Sequence, residues 1–371
     1  MGDIFSWPHL AMLGANFIRF PAAAKTKGDK AGPAHYIDPM VSFSSWTRPE
    51  LAIDFGTANL RVIDRDAGVV FDEPSLCCFT DLGTAPRLVA AGAAAQAMVD
   101  RTPPKLAVRR PLRRGVLQDI HTATELLRYA IPKELKRKPW RKARALMGVP
   151  AGATQAERRA LFTAAIDAGL SPQLVLEPFA AALGAGARVD EPRGALIVEC
   201  GAGTTEVAVI SLGGMCLTRS VRAGGAALDQ AITDHLHFRH KILIGRQSAE
   251  RIKKDYAALH AEAPSGDGLI EVRGRSLVSM APQSLHISSA EVGRVVEKHA
   301  TQIVAVIRDV LNETPPELSH DVHVNGILLT GGSALVPQLP RMIERETSVP
   351  VVVAQHPSLC VAQGLHHMLQ G

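Results

Sequence analysis

No stretch of this chain reaches the roughly 18 uncharged apolar residues that a membrane-spanning helix requires, so an integral membrane protein is not expected. The five cysteines (Cys77, Cys78, Cys200, Cys216 and Cys360) form no CxxC pair and no even framework. Reduced thiols in a cytoplasmic setting are the simplest reading of that usage. Strong charge is missing as well: a net +5 over 371 residues is too mild to argue for a nucleic-acid partner. Of the fourteen histidines, His235, His237 and His240 show no paired Cys/His ligand spacing and read as surface residues. The first residues have neither a basic n-region nor an uninterrupted apolar h-region, which argues against a signal peptide.

What is present is an ordinary globular composition, 46% hydrophobic and 21% charged, at a length that suits two domains or two lobes of one. The organising stretch is Leu196–Leu212, LIVECGAGTTEVAVISL. An apolar run breaks at Gly201-Ala202-Gly203, passes through Thr204 and Thr205, and resumes as a strand, which predicts a hairpin. Small residues at such a tip let a polyphosphate approach the backbone N–H groups, and the hydroxyls add donors. Leu51–Ile63, LAIDFGTANLRVI, repeats the plan with Asp54 ahead of Gly56-Thr57, and Asp54 and Glu199 stand 145 positions apart (199 minus 54). A repeat at domain spacing predicts two similar halves facing one ligand. Each hairpin's leading carboxylate can hold Mg²⁺ through its water shell, which together would clamp a nucleoside triphosphate. Two unrelated structural turns are the alternative.

Trp7, Leu10, Leu13, Phe17 and Phe20 recur at helical spacing after Pro8, and an Ala/Gly/Lys/Pro-rich linker follows. That stripe suits a membrane interface or, equally, a helix docked on its own protein. Leu106 and Val108 fall in RTPPKLAVRRPLRRG, read as a Pro-bounded loop whose apolar tip and arginines suit an anionic bilayer; a solvated basic loop is the alternative. Thr154 and Glu157 form the pattern of a capping box ahead of a helix. Glu177 stands at a strand-to-helix junction, as a catalytic group or as a carboxylate favoured by the helix dipole. Ser248–Asp255 reads as a helix that stacks Glu250 and Lys253 at i and i+3, and Gly331-Gly332-Ser333 links a strand to a helix.

The ordered blocks IDFGTANL, FDEPS, RPLRRGVLQD, GVPAGATQAERRA, EPFAAALGAG, GAGTTEVAVISLGG, LIGRQSAERIK, LLTGGSAL and PVVVAQHP resemble the actin/chaperone/sugar-kinase fold and, within it, the bacterial MreB cell-shape family, from about Leu51 onward. The resemblance implies an α/β, two-lobed actin-like fold with duplicated mixed-sheet domains around a nucleotide cleft. It implies a tail over 1–47, one lobe over 48–190 to which 358–371 returns, and a second over 191–357. ATP and Mg²⁺ would sit in the cleft. Gly56, Thr57, Ala58 and Asn59 would form the first phosphate loop, and Gly201, Ala202, Gly203, Thr204 and Thr205 the second. Asp54 and Glu199 would hold Mg²⁺ through water, and Glu177 would stand where the family activates water. Glu250 and Lys253 would touch ribose and adenine, with Gly225, Gly331, Gly332 and Ser333 beside the base and α-phosphate.

The implied protein is cytoplasmic and membrane-associated. It would form homopolymer filaments at the inner face of the membrane with cell-wall elongation proteins, bind no nucleic acid, and be a weak ATPase. Glu199 replaces the usual Asp and moves the charge by roughly one C–C bond, 1.5 Å. Ala202 replaces a glycine and is expected to restrict the loop, Ser333 replaces a third glycine, and Arg114 stands where an acid is usual. Slowed hydrolysis is expected from Glu199 and Ala202. The alternatives are a non-hydrolysing paralogue that copolymerises with a true MreB, a small-molecule kinase of the same fold, and a chaperone-like or plasmid-segregation ATPase. No sugar-binding insertion or separate substrate-binding domain is evident to support the last two.

Overall fold

The computed structural model describes residues 49–80, 86–132, 142–262 and 268–371; Trp7, Phe17 and most of the basic block that begins at Lys133 lie outside the described residues. Two five-stranded mixed sheets share one plan. In the first, β1 (Leu51–Phe55), β2 (Asn59–Asp64) and β3 (Gly68–Pro74) form an antiparallel meander. A three-stranded sheet follows, of β4 (Cys77–Thr80) flanked by β5 (Leu88–Ala91) and β6 (Leu106–Arg109), with helix α1 (Gly92–Ala97) between the last two in sequence. A two-stranded ribbon, β7 (Leu112–Arg113) and β8 (Val116–Leu117), leads to α2 (Ile120–Ala130). Then β9 (Ala143–Val149) runs parallel to β1, α3 (Gln155–Asp167) crosses over, and β10 (Leu170–Leu176) runs parallel to β9. The capping box is present: the Thr154 hydroxyl accepts from Glu157 N–H and the Glu157 carboxylate accepts from Thr154 N–H.

After α4 (Glu177–Gly184) the plan repeats. Strands β11 (Ala195–Cys200), β12 (Thr205–Ser211) and β13 (Gly214–Val221) form the second meander. Helices α5 (Gly225–His240) and α6 (Arg246–Glu262) pack with a small sheet of β14 (Ile242–Leu243), β15 (Leu269–Ser276) and β16 (Pro282–Ser288). Helix α7 (Ser289–Glu313) is capped by Ser288 and buries one face, Val292, Val296, Ala300, Ile303, Ile307 and Val310, at spacings of three and four. It is followed by α8 (Pro316–Asn325), β17 (Ile327–Thr330), α9 (Gln338–Thr347), β18 (Val351–Val353) and α10 (Cys360–Gln370). Strands β17 and β18 complete the second sheet, parallel to β11.

The two sheets meet through α4 and α10. Ala52, Ile63 and Leu146 of the first sheet and Ile197, Ala208 and Ile210 of the second belong to one buried cluster with Ala180, Cys360 and Leu365 of these helices. The helices touch backbone to backbone: a Cβ on Gly364 would lie 1.7 Å from the Ala180 carbonyl oxygen, so only glycine fits that crossing.

The region around Leu106 and Val108 differs from expectation. It is strand β6 rather than a loop tip, and both side chains are half-buried against Leu76, Cys78 and Ala95. Part of their apolar surface is thus spent on a core, which leaves less of it to offer a bilayer than a loop tip would. The neighbouring Arg110 is largely buried, and that burial, with the charge of Arg246, holds its pKa below the ordinary arginine value.

Candidate functional site

Each five-stranded sheet presents the turn of its first hairpin to the same cavity, about 450 Å³ in volume. Gly56, Thr57, Ala58 and Asn59 line it from the β1–β2 side, and Gly201, Ala202, Gly203 and Thr204 from the β11–β12 side. The turns interlock. A Cβ on Gly203 would lie 2.3 Å from Thr57 Oγ1 and 2.4 Å from the Gly115 nitrogen, so the second hairpin needs glycine there for close approach. Gly115 N–H donates to Thr57 Oγ1 at 3.1 Å, which leaves that hydroxyl's proton free to point at a ligand.

Ala202 has no positive φ, so an L-side chain sits there without strain. Thr205 is also displaced from its expected role. It is fully buried, and its hydroxyl donates to the Ala223 carbonyl at 2.8 Å, away from the cavity. Asn59 lines the cavity while its side-chain amide donates to Asp72 Oδ1 at 2.7 Å.

The floor is acidic. Asp54 and Arg61 face each other across β1–β2, with Arg61 Nη1 2.9 Å from Asp54 Oδ2 and Arg61 Nε 3.1 Å from Asp72. The equivalent register in the second hairpin pairs Glu199 with Glu206. Glu206 is fully buried and reaches across the cleft, accepting from the N–H groups of Ala151 (2.9 Å) and Gly152 (3.0 Å) before α3. Glu199 has no such relief: burial, then Glu206 and Asp54, push its pKa up to about 8. Glu177, at the start of α4, is raised well above the carboxylate range by burial and by Glu206, Glu199 and Asp54. Desolvation therefore outweighs the helix dipole at that position. Asp54 is raised more modestly, because Arg61 opposes its burial. Arg61 and Glu206 escaped the sequence reading, though counting back across each hairpin from its carboxylate would have found both.

The opposite wall comes from the second sheet's helices. Glu250, Lys253, Gly225, Gly331, Gly332 and Ser333 all line the cavity. Lys253 Nζ pairs with Asp229 at 2.7 Å and donates to the Gly225 carbonyl, while Glu250 pairs with Lys254 at 2.8 Å. The i, i+3 stacking of Glu250 on Lys253 is thus divided between two partners. Ser333 Oγ donates to the Gly201 carbonyl at 3.0 Å, so the residue that interrupts the glycine run ties this wall to the second hairpin. The first N–H groups of α5 do the same, Gly225 to Gly201 O and Ala226 to Ala202 O. At the cleft's mouth, Gln247 Nε2 donates to the Gln96 carbonyl at 2.9 Å.

Duplicated mixed sheets with their first hairpins turned toward one cavity define an actin-like protein. The structure of Spiroplasma citri MreB5 bound to AMPPNP has this fold, with a TM-score of 0.79 and 33% identity over 86% of this chain and 95% of that one. The model of the family described as MreB/Mbl protein matches residues 48–371. The cell shape-determining protein MreB of Escherichia coli (strain K12) is 40% identical over 321 residues, 85% of this chain and 91% of that protein. The cell shape-determining protein Mbl of Bacillus subtilis (strain 168) is 35% identical over 321 residues, 86% and 95%. The chain belongs to the MreB/Mbl family of cell shape-determining actin homologues.

Proposed function

We propose that this chain binds ATP with Mg²⁺ between its two hairpin turns and polymerises with copies of itself at the inner face of the cytoplasmic membrane, where it organises cell-wall elongation proteins. The observation that carries this reading is the interlock of Thr57 and Gly203. Two sets of backbone N–H groups and hydroxyls converge from opposite sheets on one cavity, a geometry suited to a polyphosphate tail. The nucleotide bound by the MreB5 of Spiroplasma citri supports it.

The donor set fits a divalent cation. Asp54 and Glu199 offer hard carboxylate oxygens, and the charges acting on Glu199 are other carboxylates. Those two residues would hold Mg²⁺ through its water shell, where it supplies positive charge to the phosphate oxygens. Gly56, Thr57 and Ala58 bind and orient the phosphates from one side, and Gly201, Gly203 and Thr204 from the other. Lys253, Glu250 and the 331–333 turn bound the nucleoside end. Glu177 orients the attacking water and, raised in pKa, holds its proton. Hydrolysis is slow because Glu199 carries its charge on a longer stem, beside Glu206. Membrane attachment is assigned to the N-terminal stripe with Trp7 and Phe17. Among the described residues no helix is long and apolar enough to cross a membrane.

Titration with a fluorescent ATP analogue in Mg²⁺, followed by light scattering and negative-stain microscopy with ATP and lipid vesicles, tests the reading. Saturable binding and ATP-dependent filaments on the vesicles are expected; a chain that ignores adenine nucleotides overturns it.

A further inference from the structure

Away from the cleft, two imidazoles converge on one carboxylate oxygen. His235 Nε2 and His240 Nε2 each lie 2.6 Å from Glu291 Oε1, and the two rings stand edge to face with centroids 6.2 Å apart. One ligand atom from each of the three residues lies within 4.8 Å of the other two, the only such group among the described residues. The side chains are part-buried, with relative exposures of 30%, 26% and 15%, so the cluster is held by protein yet open to water on one side.

Rigid elements supply all three. His235 lies in the last turns of α5 and His240 is its final residue; the helix then stops at Lys241, whose backbone is left-handed. Glu291 sits in the first turn of α7, its N–H bonded to the capping Ser288 hydroxyl. Five residues on an ideal helix turn through about 140°, so these histidines do not share a helical face. They converge only because Glu291 enters between them from the neighbouring helix.

The geometry points to a transition-metal site at His235, His240 and Glu291 that takes Zn²⁺ or a chemically similar first-row divalent ion, with water in the fourth position. Two imidazole nitrogens and one carboxylate oxygen are the donors such ions prefer, whereas Mg²⁺ demands oxygen ligands in an octahedron. Tetrahedral zinc, with bonds of about 2.0–2.1 Å, spaces its ligand atoms about 3.3 Å apart. Each imidazole nitrogen therefore needs to retreat from the carboxylate oxygen by about 0.7 Å, a side-chain adjustment, to admit the ion. Bound there, the metal would pin the end of α5 to the start of α7. The opposite end of α5 donates the Gly225 and Ala226 N–H groups to the second hairpin, so the site braces the helix that supports that turn. The inference does not depend on nucleotide binding.

Chelator-treated full-length protein, titrated calorimetrically with Zn²⁺ in excess Mg²⁺, tests it. One saturating equivalent is expected, with Co²⁺ giving the visible absorption of a tetrahedral site. The double variant His235→Asn/His240→Asn should weaken Zn²⁺ binding by ~100-fold or more, with the affinity for the fluorescent ATP analogue unchanged. Should that variant melt abnormally by circular dichroism, Glu291→Gln, which keeps the size and one acceptor, is read in its place and should weaken binding by ~10-fold. Zn²⁺ affinity within ~3-fold of wild type in the folded variant, or no saturable equivalent in the wild type, reduces the cluster to a hydrogen-bonded His–Glu–His group and overturns the proposal.

Discussion

Glu199 and Glu206 stand directly opposite each other across β11–β12, in the register where the first hairpin sets Asp54 against Arg61. Like charges in facing positions destabilise a sheet, and two things relieve this pair: the pKa of Glu199 is raised to about 8, and Glu206 accepts hydrogen bonds elsewhere. It binds the backbone N–H groups of Ala151 and Gly152, which belong to the other half of the molecule. The same contact that relieves the hairpin therefore fastens the two halves across the cleft.

Removing that carboxylate leaves two N–H groups without their partner. Glu206→Ala is expected to cost ~2–4 kcal/mol in urea unfolding, while Glu206→Gln, which retains one acceptor, should cost less than half as much. Wild-type stability in the alanine variant would show that the clamp carries no load.

On the proposed reading, the length of residue 199 limits the rate of hydrolysis. Glu199→Asp should raise single-turnover ATP hydrolysis by ~10–100-fold, as a carboxylate offset by about one bond is corrected. Ala202→Gly should leave that rate where it is, because Ala202 is not strained. Equal rates for wild type and Glu199→Asp refute the assignment.

Close approach of the two turns is expected to be intolerant of a methyl group. Gly203→Ala puts a Cβ against Thr57 Oγ1 and the Gly115 backbone, so the turns must part. A stability loss of ~1–3 kcal/mol and at least ~10-fold weaker binding of the ATP analogue are expected from thermal melts and fluorescence titration.

His299, buried on α7 near Lys253, is held down to about 4 by burial and, secondarily, by the lysine's charge. Between about 4 and the ordinary 6.5 the unfolded chain binds a proton that the native state does not. Stability from this group is therefore complete above pH 6.5 and is lost as pH falls through 4, by at most ~3 kcal/mol. His299→Gln should flatten the melting temperature between pH 4.5 and 6.5; an unchanged pH slope would count against the assignment.

Lipid binding is expected to survive changes in β6. Leu106→Ser with Val108→Ser should lower the melting temperature, since both side chains pack on a core, without releasing the chain from anionic vesicles. A chain beginning at Ser45 should lose vesicle co-sedimentation, and undiminished binding removes the tail from consideration.

Local signals were legible wherever a single element decides its own structure. The alternation around Gly56-Thr57 and Gly201–Thr204 defined two hairpins. Thr154 with Glu157 defined a helix start, and the capping box is present in both of its hydrogen bonds. The β15–β16 hairpin was missed: Ile270 and Val272 alternate toward the core, but β16 is mostly polar and exposed, which hides the pairing. Leu106 and Val108 were misplaced because prolines nearby suggested a loop, while pairing with β4 from thirty residues upstream made a strand.

The ordered motifs alone determined the family, the two hairpins and most of the cavity's lining, since these depend on residue type and spacing along the chain. Only the tertiary structure decided that Glu206 crosses the cleft to Ala151 and Gly152, that Thr205 turns away, and that Glu291 comes between His235 and His240. Such contacts join residues whose separation in sequence says nothing of their distance, and their energies come from burial and charge that exist only once the sheets and helices have packed.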